Sequence, residues 1–232
     1  MNLLAIETAT EACSVALRCG DAVLERFEIA PRRHAELVLP WAEALLAEAG
    51  IARSQLDAIA VGIGPGAFTG VRLAVAMGQG LALALGRPLI GISSLQILAA
   101  GASGAQPGDG VFACIDARMG EVYAAAFRIH RDGLPEPIDA PQLARPDDAR
   151  LPDDSYGWAR GTGLAAGHGE VGQRLQGQGW RLEPGALPAA GDLARLAARA
   201  HALGAYPERP DDVQPLYLRD KVAQTIAERE GR

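Results

Sequence analysis

What this chain lacks sets its first bounds. It has three cysteines, Cys13, Cys19 and Cys114, an odd number with no Cys-x-x-Cys spacing. All three sit in apolar, strand-like stretches, so reduced thiols in a cytoplasmic protein are expected rather than a disulfide framework or a zinc knuckle. Its four histidines, His34, His130, His168 and His201, are dispersed, with no His-x-x-x-His or His-Glu-x-x-His pair. A zinc hydrolase site has no ligand set here. No Gly-x-Ser-x-Gly elbow surrounds Ser14, Ser93, Ser94 or Ser103, and nothing calls for covalent catalysis.

An excess of positive charge is also missing. Lysine and arginine number 22 against 28 acidic residues, a net charge of -6, so no overall field draws phosphate backbones or anionic lipid onto the chain. The run from Met1 to Thr10 carries Glu7 and lacks the basic start and long apolar core of a signal peptide. Residues 88–108 are free of charge over a membrane-length span, yet Pro88, Ser93, Ser94, Gln96 and several glycines divide them into a strand and a helix. Buried core is the expected place for that segment, and no membrane association is expected.

What is present is a substantial core, since 49% of the 232 residues are hydrophobic. Leu3 to Thr8, Cys13 to Arg18 and Val23 to Ile29 read as a three-strand meander, with a turn at Gly20-Asp21. His34 to Ala49 reads as a helix with Leu37, Val38, Trp41, Leu45 and Leu46 on one side, Pro40 kinking or restarting it and Gly50 ending it. Ile59 to Gly62, a helix over Thr69 to Leu85, and Leu89 to Ile92 form a strand-helix-strand unit that predicts parallel pairing. Gly101 to Gly110 reads as a subdomain boundary, after which Val111 to Asp116 and Val122 to Ile129 make a second hairpin. Residues 135–152 hold five prolines and predict an irregular excursion, and Asp192 to Leu203 and Arg219 to Glu230 are expected to be helical. The pattern predicts an α/β protein of two related halves facing each other across a cleft, residues 1–105 and a reduced 106–232, with a C-terminal helix packing back on the first.

The segment Gly64-Pro65-Gly66-Ala67-Phe68-Thr69-Gly70-Val71-Arg72 joins a strand to a long small-residue helix. Its glycines leave room for a ligand or another chain to approach the backbone, and helix-start amides favour an anion. Gly64, Gly66, Thr69 and Gly70 are therefore candidate nucleotide or phosphate contacts; the other reading is a tight turn that binds nothing. Asp116, Arg118 and Glu121 gather charge at the second hairpin's tip, either orienting a ligand or bracing the turn.

Four motifs in order, Leu4-Ala5-Ile6-Glu7-Thr8-Ala9-Thr10, Gly64 to Arg72, Asp116 to Tyr123 and Pro215-Leu216-Tyr217-Leu218-Arg219, resemble the TsaB (YeaZ-type) family of bacterial threonylcarbamoyladenosine synthesis, across nearly the whole chain. The resemblance implies the sugar-kinase, Hsp70 and actin superfold, ribonuclease H-like and once filed with glycoprotease-like M22 peptidases. It implies a non-catalytic partner of the paralogous TsaD, which transfers threonylcarbamoyl to the adenosine next to the anticodon, in an assembly completed by a TsaE-type ATPase. In that catalytic paralogue a His-x-x-x-His pair holds the metal; the corresponding positions here are Ser94 and Leu98, a weak ligand and none. Glu7 stands where kinases of the superfold have aspartate.

The resemblance further implies pairing through two helices, with TsaD or, when alone, as a homodimer. Leu37, Val38, Trp41 and Leu45, with Ala74, Met77, Gly78 and Leu81, are the candidate interface; burial in the chain's own core is the competing reading. No intrinsic cofactor is expected, ATP or ADP has a place at the partner interface, and tRNA is reached indirectly. A small-molecule kinase using Gly64 to Thr69 and Gly161 to Gly163 as phosphate turns is the alternative, and a peptidase ranks third.

Overall fold

The computed structural model describes residues 1–153, 156–207 and 209–219. The first lobe opens with β1 (Asn2–Glu7), β2 (Ala12–Cys19) and β3 (Ala22–Ile29), followed by α1 (His34–Ala49), β4 (Ala58–Gly62), α2 (Phe68–Leu85), β5 (Leu89–Ile92) and α3 (Ser94–Ala100). The second contains β6 (Gly110–Arg118), β7 (Glu121–Ile129), β8 (Pro135–Pro137), β9 (Gln142–Ala144), β10 (Gly157–Arg160), α4 (Glu170–Gly177) and β11 (Arg181–Glu183), and is followed by α5 (Ala190–Ala202).

The two sheets have the same plan. In the first the order is β3-β2-β1-β4-β5, with antiparallel pairing through β1, β2 and β3 and parallel pairing of β1 with β4 and β4 with β5. In the second the order β8-β7-β6-β10-β11 repeats it: an antiparallel set continued by two parallel strands. The repeat is topological, because the later strands of the second sheet shrink to three or four residues. The proline-rich stretch contributes only β8 and β9, both short edge pairings on β7.

Alternation along the strands gives the first sheet a bulky face and one richer in alanine, which also carries Leu3 and Ile90. On one face of the first sheet, Leu4, Ile6, Val15, Leu17, Ile59 and Val61 pack beneath α1 and α2. On the other, Ala5, Ala16, Ala58 and Ala60 meet Ala190, Leu193, Ala194 and Ala197 of α5. Small residues on both surfaces let a helix approach a sheet closely. So α5, which follows the second sheet in sequence, completes the core of the first lobe. Its start is pinned there: the Ala190 amide donates to Ser14 Oγ at 2.8 Å, and that hydroxyl donates to Glu25 at 2.6 Å.

Helix α1 runs unbroken through Pro40 and ends at Gly50, whose φ of 67° is left-handed. Helix α2 ends the same way at Gly86. By length and composition α2 would serve as a membrane span, with a mean hydropathy of 1.4, yet its inward residues Ala74, Val75 and Ala82 belong to the first core. The helix expected over Arg219 to Glu230 lies, beyond Arg219, outside the described residues.

Candidate functional site

Where β1 ends, Glu7 turns inward and is 1% exposed. Its Oε1 accepts the Ala9 amide at 2.6 Å and its Oε2 accepts the Ser94 hydroxyl at 2.9 Å. Gly62 makes room, for a Cβ there would fall 1.9 Å from the carboxylate. Burial pushes the Glu7 carboxyl up to about 7, against the opposing pull of those hydrogen bonds. This carboxyl is closed off within the lobe and does not line the cleft. Leu98, four residues beyond Ser94, is 1% exposed in a hydrocarbon cluster. Among the described residues no group of three or more His, Cys, Asp or Glu side chains is placed to hold a metal ion.

The glycine-rich loop folds against the turn that follows β1. The Ala67 amide donates to the Ala9 carbonyl at 2.7 Å, and Thr8 Oγ1 donates to the Gly70 carbonyl at 2.7 Å. A Cβ at Gly66 would lie 2.2 Å from the Ala9 oxygen, and one at Gly70 would lie 2.0 Å from the Thr8 oxygen. The chain's own backbone thus fills the Cβ side of Gly66 and Gly70, and packing against residues 8 and 9 is enough to account for both glycines. Gly64 and Gly70 are buried and Thr69 is exposed; of the four candidates only Gly66 borders the cleft. Gly161 and Gly163 press in the same way on Cys114.

Between the lobes lies a cavity of about 530 Å³. Its first-lobe wall includes Thr10, Glu11, Arg32, His34, Gly66 and Phe68; its second-lobe wall includes Asp116, Arg118, Met119, Tyr123 and Thr162. Residues 216–219 close one side. They belong to a tail stitched to both lobes. The Leu216 amide donates to the Ile63 carbonyl at 2.7 Å, Gln79 on α2 donates to the Val213 carbonyl at 3.0 Å, and Leu218 packs into the second core. Arg219 ion-pairs with Glu121 and touches Met119 Sδ at 3.3 Å.

The β6–β7 tip is braced from within: the Arg118 amide and guanidinium both bond to Asp116, at 2.7 and 3.2 Å. Asp116, Arg118 and Glu121 are therefore held by one another and by Arg219, while Asp116 and Arg118 still face the cavity. Arg32, Arg118 and Met119 have φ of 69°, 63° and 56°, and these three left-handed non-glycine residues all line the cleft.

Sequence reasoning missed the grouping at the cleft mouth. The Arg72 guanidinium sits 3.2 Å from the centre of the Phe68 ring and 4.8 Å from that of Tyr217. Phe68 and Arg72 are four apart on α2, a legible spacing; the arrival of Tyr217 from a distant tail is not. Neither Cys13 nor Cys114 lines the cleft. Cys13 and Cys114 are buried, and burial pushes the Cys13 thiol up to about 11 and the Cys114 thiol further still.

The eight interface candidates separate by burial. Val38, Leu45 and Ala74 are fully buried against the first sheet, and Gly78 is buried where a Cβ would strike Val61 at 2.4 Å. These four are core residues, because the helix face meeting the sheet is the one that carries them. Leu37, Trp41, Met77 and Leu81 are half-buried at the edge of that core. Beside them Leu39, Ala76, Gly80 and Leu83 are exposed.

The model of the TsaD family, tRNA N6-adenosine threonylcarbamoyltransferase, matches residues 27–143. The tRNA threonylcarbamoyladenosine biosynthesis protein TsaB of Escherichia coli is 38% identical over 228 residues, covering 96% of both chains. The TsaB protein of Haemophilus influenzae is 35% identical over 96% of this chain and 95% of its own. Among solved structures, YeaZ from Pseudomonas aeruginosa superposes with a TM-score of 0.85 at 42% identity, over 94% of this chain and 99% of that one. Full-length likeness in sequence, together with the doubled sheet plan and the shared structure, places the chain in the TsaB (YeaZ) family of tRNA threonylcarbamoyladenosine biosynthesis proteins.

Proposed function

We propose that the chain serves threonylcarbamoyladenosine synthesis as a non-catalytic subunit, docking through the outer faces of α1 and α2 on a TsaD-like transferase and, in its absence, on a second copy of itself. The observation that carries this reading is α2: 18 residues with a mean hydropathy of 1.4, of which only 33% is buried in the chain itself. A helix so apolar on its outward side, anchored to the sheet by its inward one, calls for a partner surface. Leu37, Trp41, Met77 and Leu81 supply its border, with exposed Leu39, Ala76 and Leu83.

Chemistry supports the division of labour. Ser94 is committed to Glu7, and Leu98 offers hydrocarbon where the catalytic paralogue has a second histidine. The kinase reading would use Glu7, which stands where kinases of the superfold have aspartate, and Glu7 is turned away from the cleft; the carboxylates that do line it are Glu11 and Asp116, the latter paired with Arg118. In this proposal a TsaE-like ATPase joins the pair, ATP or ADP binds at the shared interface, the transferase carries most of the tRNA, and all of it takes place in the cytoplasm. The chain itself brings no cofactor.

Reconstitution tests the proposal: this chain, the TsaD-like and TsaE-like proteins, the adenylate-forming enzyme, threonine, bicarbonate, ATP and unmodified tRNA. The expected result is modified adenosine that depends on this chain, which alone turns nothing over. Full modification without it, or sustained ATP hydrolysis by it alone, overturns the reading.

A further inference from the structure

We propose that the mouth of the cleft is a contact for single-stranded RNA, with an unstacked base lying on the ring of Phe68 or Tyr217 and backbone phosphates on Arg72, Arg32 and Arg118. This rests on the reading above that the chain works in tRNA modification.

Three observations carry it. First, Phe68 is 46% exposed, Tyr217 49% and Met119 61%, and all three border one opening. Aromatic faces left half in water at a cleft mouth suit stacking by a planar group, and every nucleobase presents one. Second, Arg72 is held between the two rings by cation–π contact, with no carboxylate paired to it among the described residues. Arg32 is exposed and likewise without an ion pair among those residues, and Arg118 has only the partly exposed Asp116. In a chain of net charge -6 these cations gather where the rings are. That pairing of guanidinium with aromatic surface fits a polyanion whose bases can be splayed out. Third, the cavity behind the rings is about 530 Å³, within the range that houses a nucleotide-sized group.

Duplex RNA has its bases stacked inside and cannot reach rings set between two lobes, so an unpaired loop is the matching form. Glu11 and Asp116 line the same cavity, and Asp116 pairs with Arg118 at 3.2 Å. Their charge disfavours phosphate beside them, which leaves Arg72 and Arg32 as the main backbone contacts.

The test uses a fluorescein-labelled anticodon stem-loop RNA, a duplex of the same length, and the full chain mixed with its transferase relative. Anisotropy gives the affinities across a salt series. Arg72→Ala and Tyr217→Ala are expected to weaken stem-loop binding by about tenfold each, with the duplex binding weakly throughout. Arg32→Ala is expected to flatten the salt dependence, lowering the slope of log affinity against log salt by about 0.7. All three residues are exposed, and thermal unfolding of each variant checks that it is folded before its affinity is read.

Unchanged stem-loop affinity in the variants overturns the proposal. So does a parallel loss of association between chain and transferase by sedimentation, which makes the rim a protein contact. The modification assay separates this from the preceding reading. If modification proceeds without the chain while the stem-loop still binds at the rim, the subunit reading falls and the RNA contact stands.

Discussion

Glu7 shows how one buried carboxyl links stability to pH. Its folded-state value of about 7 lies above the ordinary 4.5, so the folded chain holds this proton more tightly than the unfolded one. The resulting stability is fully present below about pH 4.5 and is lost as pH rises through about 7, up to about 3 kcal/mol. Glu7→Gln keeps an acceptor for the Ala9 amide and removes the titration. Thermal unfolding is expected to show the variant several degrees more stable than the parent near pH 8 and no more stable near pH 5. A pH-independent difference would mean that this carboxyl does not titrate with folding. At this scale the sequence was only half legible: Glu7 was visible within the first apolar strand, but its bond to Ser94 and its enclosure by Gly62 depend on distant segments meeting at one end of the sheet. The glycines of the 64–72 loop show the same limit. Close approach was inferred from them, and the group on the Cβ side of Gly66 and Gly70 is the backbone of Ala9 and Thr8.

At the level of elements, boundaries read from apolar periodicity and capping residues agree with the structure to within a residue or two. Helix α1 is placed at His34–Ala49 as expected, and α2 begins one residue early, at Phe68. Such helices are legible because their ends carry glycine and their faces repeat. Which apolar residues look inward is not legible, since a helix apolar all round gives no contrast between its sheet face and its partner face. Burial now supplies that contrast and gives opposite expectations for neighbouring positions. Trp41→Glu and Ala76→Arg are expected to cost at least about 2 kcal/mol of binding to the transferase, roughly thirtyfold, while shifting the melting temperature little. Val38→Glu, by placing a charge against the fully buried sheet face, is expected to unfold the protein. Titration calorimetry and thermal unfolding on all three variants check this; if Trp41→Glu unfolds the chain or binds normally, the assigned face is wrong.

For the whole molecule, the two-lobed plan was visible from the order of strands and helices, and the second lobe's reduction from its prolines. The tail over residues 213–219 was visible as a motif but not as a clasp, because its contacts span the sequence from Ile63 to Glu121. If that clasp sets the aperture of the cleft, cutting it at both ends loosens the lobes without unfolding either. The double variant Gln79→Ala, Arg219→Ala is expected to speed amide hydrogen exchange about tenfold or more at residues 116–121 and 62–67. Global unfolding free energy should fall by no more than about 2 kcal/mol. Equal exchange in parent and variant would mark the tail as passive filler.

The alanine-lined sheet face beneath α5 bears on how the chain is born. While the first hundred residues leave the ribosome, β1, β2, β4 and β5 can pair and α1 and α2 can cover one side, but on the opposite side only Ile97 and Ala100 of α3 are then present of the helices that complete the core. The main part of its cover is not translated until Ala190–Ala202, and the bond that seats it joins Ala190 to Ser14 across 176 positions. The N-terminal lobe therefore completes its core only after the entire second lobe has been synthesised, and part of its apolar surface stays open in the interval.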